Sequence, residues 1–476
     1  MISIDKLPDD VLLAIFYFYV DEASDAAYSK KEVEEWQTLV HVSRRWRSIV
    51  FGSPRRLNLR LACTPMKPAR DTLNIWPALP LFILSDFGHT DDVDNITAVL
   101  ERSGDRVCQI NLTCLSGLQL GKVLPVMHVP FPELTHLQLS SFRSMPDLPD
   151  SFLGRSASRL RFLDLENIPF PGLPTLLLSA THLVDLHLYD IPQSGYISPE
   201  AMVTVLSTLT GLRSLSLKFQ FRLSHLDWES RRPPPSTRSV LSVLTFCFRG
   251  VSKYLEDFVA RIDAPRLDLL SIYLFDDTVF DIPQLLRLIS RTPTLKAFEK
   301  AHVCFGSGAR LNLSSRTPGY GILIMGIWYS ELDWQASFIE KVCSPSLSTL
   351  EDLYVFEDNY SSSPWQSDIE NWLWLELLHP FSAVKNLYLC KIFAPRIVPA
   401  LQELVGDRAT EMLPTLQNIF LEALGPVQEG IEQFVATRQV ANHPMAVTYW
   451  ENSKRDKAGI SLFMPSWGRK FGRVVE

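Results

Sequence analysis

Apolar residues recur along most of the chain in one short frame: the first, fourth, sixth and ninth positions are apolar, and most of the others are polar. LTHLQLSSF fills it with Leu134, Leu137, Leu139 and Phe142, LRFLDLENI with Leu160, Leu163, Leu165 and Ile168, and LVDLHLYDI with Leu183, Leu186, Leu188 and Ile191. Upstream, VCQINLTCL supplies Val107, Ile110, Leu112 and Leu115, and LPLFILSDF supplies Leu79, Phe82, Leu84 and Phe87. Downstream the frame returns at Leu212/Leu215/Leu217, Leu241/Leu244/Phe246, Leu267/Leu270/Ile272, Leu350/Leu353/Val355, Val384/Leu387/Leu389 and Leu416/Ile419/Leu421. Alternate residues of a strand face the same way, so both apolar residues of each φ-x-φ core (φ, any apolar residue) are expected inside. The second apolar positions, Phe82, Ile110, Leu137, Leu163, Leu186, Leu215, Leu244 and Leu270, lie 23 to 29 residues apart. The series resumes at Leu353, Leu387 and Ile419, and the gap before Leu353 leaves room for two degenerate units near LKAFEK and ILIMGI. A weaker unit is expected at Leu57/Leu59.

Between the strands, DDVDNITAVLERS, SPEAMVTVLSTLTG, IPQLLRLISRT, ELDWQASFIEKVC, DIENWLWLELLHPF and IVPALQELV have helical character. Strand and helix alternating at this period resemble leucine-rich repeats, whose units stack to share one continuous core. That family pattern expects Asn or Cys after the strand leucines. Here Leu115, Phe142, Ile168, Ile191 or Ile392 stands in its place. No Asn ladder is then expected to tie the turns, and an irregular solenoid held by apolar packing is predicted for residues 53–442, degenerate around 295–330. Residues 443–476 are expected to form a capping segment and tail.

Residues 1–52 lie outside the repeat. In KLPDDVLLAIFYFYV, Pro8 with Asp9 and Asp10 marks a helix start. The helix is apolar nearly all round: Leu12, Ile15, Phe16 and Tyr19 form one face, Val11, Ala14 and Phe18 another. After a polar stretch, Trp36, Leu39, Val42, Trp46, Ile49 and Val50 recur at helical spacing among Arg44, Arg45 and Arg47. LPDDVLLAIF followed by VSRRWRSIVF resembles an F-box, the helical module of substrate receptors in SCF-type ubiquitin ligases. Ser43 stands where that family often has Cys, and the insertion between the helices is long. The whole chain is similar to the F-box/leucine-rich-repeat proteins expanded in mushroom-forming (basidiomycete) fungi. The resemblance implies an α/β architecture of two parts, a small N-terminal helical module followed by an irregular leucine-rich-repeat horseshoe. It implies docking of Leu7, Pro8, Leu12, Ile15, Phe16 and Trp46 on a Skp-type adaptor, and through it on a cullin–RING ligase. Leu12, Ile15 and Phe16 would then serve a partner, while another face closes the module against Trp36, Leu39 and Val42. The alternative is a leucine-rich-repeat interaction scaffold whose helical cap has no ligase role, since repeat arrays need caps.

Composition changes this picture little. The 476 residues are 46% hydrophobic and 21% charged, as in a globular protein, and the net charge of −7 gives no overall nucleic-acid footprint. No apolar run is long enough to span a bilayer, and Asp5, Asp9 and Asp10 precede the first apolar stretch where a secretory signal carries positive charge. Seven scattered cysteines without a C-x-x-C pair read as reduced thiols. A cytoplasmic or nuclear, non-secreted protein is expected. There is no nucleophile elbow, zinc-protease or P-loop motif, and the ten histidines show no ligand spacing, so neither an enzyme nor a cofactor or metal site is expected. The strand residues alternating with the buried ones offer a binding face: His136, Gln138, Phe162, Asp164, Asp185 and His187 early, Asp352, Tyr354, Asn386, Tyr388, Asn418 and Phe420 late. Aromatic anchors favour interface centres, so Tyr354, Tyr388 and Phe420 are the candidate residues for an unknown protein substrate. The basic, proline-rich segment ESRRPPPSTR (229–238) reads as a solvated loop, and GSG (306–308) as a turn.

Overall fold

The computed structural model describes residues 4–21, 36–66, 68–86, 93–141, 147–220, 238–275, 282–296, 298–305, 308–316, 321–327, 338–339, 349–357, 370–404, 408, 412–422 and 427–449. The chain divides into two compact units, Met1–Leu267 and Asp268–Glu476.

In the first unit, helix α1 spans Asp9–Asp21, α2 Trp36–Val42 and α3 Arg44–Gly52. Pro8 precedes α1, and its carbonyl accepts the Leu12 amide at 3.0 Å. Ser43 divides the second apolar stretch into two helices: extended, it caps α3 by accepting the Trp46 amide at 3.2 Å. The module closes on Leu12, Leu13, Phe16, Trp36, Leu39, Val40 and Val50. Val42, expected in that core, is instead exposed, because α2 ends there and the chain turns into the cap. Phe16 packs on Trp46 with ring centroids 4.6 Å apart, and Arg45 pairs with Asp9 at 2.6 Å. The boundary near residue 52 is bridged. The Trp36 indole donates to the Arg60 carbonyl at 2.9 Å and lies edge-on to Trp76 at 5.2 Å.

The strands follow in order: β1 Leu61–Cys63, β2 Leu81–Asp86, β3 Val107–Leu115, β4 His136–Ser141, β5 Phe162–Glu166, β6 Asp185–Ile191, β7 Ser214–Phe219 and β9 Thr245–Gly250. All pair in parallel with their sequence neighbours, while β8 (Ser239–Val240) and β10 (Ile262–Asp263) form a separate parallel pair. Leu137, Leu163, Leu186 and Leu215 stand in one register and Leu139, Leu165, Leu188 and Leu217 in the next, all buried. Helices Asp94–Ser103, Gly117–Val123, Leu173–Ser179, Pro199–Leu206 and Ser252–Val259 bury their apolar sides. Their starts follow local chemistry: Ser116 and Gln119 form a capping box, and Ser198 caps a helix with Pro at its first position.

Two units sit in a different register from the expected one. In LFIL, Ile83 aligns with Ile110, and Phe82 aligns with Gln109 on the opposite face, where it packs with Ala62 and Leu84. In VLTFCF, Phe246 aligns with Leu215 and Phe248 with Leu217, whereas Leu244 precedes the strand. Both segments are apolar enough to fit two registers: LFIL slips by one residue, which exchanges its faces, and VLTFCF by two, which keeps them.

The turns are also tied differently. Leu115, Ile168 and Ile191 are buried as expected of apolar positions. The residue before each, Cys114, Asn167 or Asp190, has φ of 64°, 55° or 49°. Polar side chains there close the turn: Asn167 Nδ2 donates to the Ser141 carbonyl at 3.0 Å, Ser141 Oγ to the Leu115 carbonyl at 2.9 Å, and the Cys114 amide to Ser140 Oγ at 3.0 Å.

The second unit holds β11 Leu269–Leu274, β12 Lys300–Phe305, β13 Ala309–Ser314, β14 Ile322–Ile327, β15 Asp352–Glu357, β16 Asn386–Leu389, β17 Asn418–Leu421 and β18 Ala446–Tyr449. In place of two degenerate repeats stands a three-stranded meander. β12–β13 and β13–β14 are antiparallel, β14 joins β11 in parallel, and β12 joins β15 in parallel. The spatial order is thus β11-β14-β13-β12-β15-β16-β17-β18. Gly326 faces Tyr273 across that first junction, where a Cβ would meet the tyrosine ring at 2.7 Å. Helices Pro283–Arg291, Asn371–Leu378, Ala394–Gln402 and Gln428–Val440 follow the frame. Trp374, Phe305 and Phe393 form an aromatic core, and the fully buried Arg438 donates to the Leu416 carbonyl at 3.2 Å. The expected helix ELDWQASFIEKVC lies outside the described residues except for the buried Phe338 and Ile339.

Candidate functional site

Parallel, in-register pairing puts equivalent side chains of successive strands about 4.8 Å apart, so like residues stack into rows. In the second unit one row runs His302, Tyr354, Tyr388, Phe420 and Thr448, on the strand face opposite the buried Leu353, Leu387 and Ile419. Its four rings stack nearly flat: 4.5 Å and 6° from His302 to Tyr354, 4.1 Å and 9° to Tyr388, 4.4 Å and 7° to Phe420. The three candidate substrate residues are therefore neighbours in one continuous ladder. The tyrosine hydroxyls are hydrogen-bonded to each other, and burial raises the pKa of both. Sequence reasoning missed His302, because it lies in the gap where the repeat frame lapses. Burial lowers its pKa to about 4, with nearby Lys300 adding to the effect, so it is a neutral ring.

The adjacent row is polar. Asn418 Nδ2 donates to Asn386 Oδ1 at 2.8 Å, and Asn386 Nδ2 to Asp352 Oδ1 at 2.7 Å. Arg316 holds Asp352 Oδ2 at 2.7 Å and Glu351 at 3.0 Å, and Lys385 reaches Glu351 at 2.6 Å. Lys385 first, and Arg316 after it, holds the Glu351 carboxyl below the usual carboxylate range. Each amide thus donates toward one charged end, a directional chain beside the rings.

The early rows also come together, in another form. Phe162 stacks on His136 at 5.9 Å but meets His187 edge-on at 5.4 Å, and Lys218 sits 4.2 Å over the Tyr189 ring. Gln138 donates to Asp164 at 3.2 Å. Burial lowers the His136 and His187 pKa values to about 4 and that of Lys218 to about 8.

On the helical module, the six candidate adaptor residues are placed unequally. Pro8 and Ile15 are exposed, and Leu7 and Trp46 are half-buried. Leu12 and Phe16 are sealed inside at 0% and 1% exposure, so they hold the module together and present no surface. The outward stripe of α1 is Val11, Ile15, Phe18 and Tyr19, with Phe18 71% exposed. Ile15 and Tyr19 therefore turn away from Leu12 and Phe16, in place of the faces expected from spacing.

Among the described residues no His, Cys, Asp and Glu group has metal-binding geometry, and no helix is long and apolar enough to cross a membrane. The proline-rich segment, apart from Arg238, and the tail beyond Tyr449 lie outside the described residues.

Stacked parallel strands carrying a leucine frame, with helices between them and a ringed outer row, define a strand-and-helix repeat protein. Solved structures similar to it include the leucine-rich repeat-containing protein LegL7 from Legionella pneumophila, 12% identical over 79% of this chain and 97% of that one, TM-score 0.28. Another is an internalin, InlF, from Listeria monocytogenes, 12% identical over 75% of this chain and 94% of that one, TM-score 0.27. No family model and no curated protein matches the sequence.

Proposed function

We propose that this protein is a non-catalytic substrate receptor of an SCF-type ubiquitin ligase, its F-box-like module engaging a Skp-type adaptor and its leucine-rich repeats capturing a protein substrate. The observation that carries the reading is α1. Its inner side closes the module, and its outer side still presents Val11, Ile15, Phe18 and Tyr19 to solvent. An apolar stripe of that kind marks a surface with a partner. A receptor holds its substrate beside the ubiquitin-charged enzyme, and modification gains from proximity. The ring ladder supplies the capture surface, with aromatic anchors ringed by paired polar groups.

The test is capture of a Skp-type adaptor by the full chain. Ile15→Asp with Phe18→Asp should abolish capture while leaving the circular-dichroism spectrum intact, and capture surviving that double change would sink the reading. A second reading, a repeat scaffold with a helical cap, draws on the Trp36–Arg60 and Trp36–Trp76 contacts that fasten the module to the segments on either side of β1. It expects no adaptor capture by the unmodified chain.

A further inference from the structure

The ring ladder stops short of the last strand. Phe420 receives Tyr388 on one face, and the residue in register with it on β18 is Thr448. Asn418 stands likewise beside Ala446. Thr448 and Ala446 are both exposed, so the sheet steps down at β18 from a tall row to a low one. Above Thr448 the second face of Phe420 has no ring packed against it among the described residues. The amide chain ends at the same step. Asn418 spends an N–H on Asn386, and its Oδ1 accepts no hydrogen bond among the described residues.

From this geometry we infer that the step beside Phe420 is a seat for one planar aromatic side chain of a partner peptide, an indole, stacking as the fifth ring with its N–H directed to Asn418 Oδ1. The spacing already used three times, 4.1 to 4.5 Å, fixes where the plane of that ring lies. The flat stack selects a planar group over a branched aliphatic one, since only a plane covers the whole ring face. The free carbonyl oxygen selects a ring that carries a donor. Charge selects peptide over nucleic acid. Among the described residues beside this row, Arg316 and Lys385 are paired with Glu351 and Asp352, so neither is a free cation for a phosphate backbone. The inference deepens the reading of this strand face as a capture surface and rests on it, but it does not depend on the adaptor.

The experiment is titration of the full chain by calorimetry with N-acetyl-L-tryptophanamide. N-acetyl-L-leucinamide, the 1-methylindole analogue and adenosine monophosphate serve as comparison probes. The tryptophan probe should bind saturably, and the leucine probe should not. Phe420→Ala should weaken binding about tenfold or more. Thr448→Trp, at an exposed position, should fill the seat from within and abolish binding with an unchanged thermal midpoint. Asn418→Leu should weaken the tryptophan probe about tenfold and the methylated probe little, as expected for one lost hydrogen bond. Equal binding of the leucine probe, preference for the nucleotide, or binding indifferent to Thr448→Trp would each overturn the inference. Loss of substrate capture in a Tyr354→Ala, Tyr388→Ala variant alongside absent probe binding would leave the capture reading standing without the seat. Probe binding with capture untouched by Thr448→Trp would do the reverse.

Discussion

His302 carries a pH dependence that its neighbours do not share. Its ordinary pKa is 6.5, and burial in the stack lowers it to about 4. Between those values the unfolded chain binds a proton that the folded chain refuses. Stability tied to this residue is therefore complete above pH 6.5 and falls as the pH drops toward 4. At about 1.4 kcal/mol for each pH unit, the loss approaches about 3 kcal/mol at most. His302→Phe keeps a ring in the ladder and takes no proton. Urea unfolding at pH 7.5 and pH 4.5 should show the variant gaining on the wild-type chain at the lower pH, and parallel behaviour would remove the effect. The ring candidates Tyr354, Tyr388 and Phe420 were legible because the repeat frame gave their side. His302 was not, because nothing in AHVCF announces a strand that joins the ladder from a distant part of the chain.

Among elements, α1 separates two kinds of apolar residue that the sequence presents alike. Leu12 and Phe16 are enclosed, so Leu12→Ala or Phe16→Ala should cost about 2–5 kcal/mol and expose the module to limited proteolysis. Ile15→Ala should cost much less, about 1 kcal/mol or below, because its side chain is 42% exposed. If chemical denaturation ranks Ile15 with Leu12, the division of the two faces is wrong. Helical spacing alone grouped Ile15 with Phe16, and it could not say which side the following helices would cover. Ser43 was the missed signal: its cap turns α3 away from α2 and carries Val42 out of the core. The same ambiguity affected strands. LFIL and VLTFCF are apolar on consecutive positions, so alternation cannot fix their register, and pairing with β3 and β7 decides it.

For the whole molecule, the leucine period was readable because each unit encodes its own strand, and burial of equivalent leucines ties one unit to the next. The meander was not, since parallel and antiparallel strands show the same alternation and differ only in where they return. The two proposed surfaces fall in different compact units, α1 in the first and the ring ladder in the second. Their losses should separate. Ile15→Asp with Phe18→Asp should end adaptor capture and leave tryptophan-probe binding, while Tyr354→Ala, Tyr388→Ala and Phe420→Ala together should do the opposite. Co-precipitation and calorimetry on the same preparations read both, and simultaneous loss in either variant would mean the surfaces are not independent.

The strand order around the meander has a consequence for the protein as it is made. β11 finds its second-unit neighbour in β14, the last strand of the meander, and not in β12, the first to be synthesised. A growing chain on the ribosome therefore keeps that edge of β11 without its partner until Ile327 has emerged, a delay of several seconds at about 5–20 residues per second. Unpaired edges recruit other chains. Premature termination between Phe275 and Gly321 should thus yield products that aggregate or are claimed by chaperones. Chains released just after Ile327 close the β11 edge but carry a new unpaired one on β12, whose partner β15 is not yet made, and they lack the whole ring ladder beyond His302.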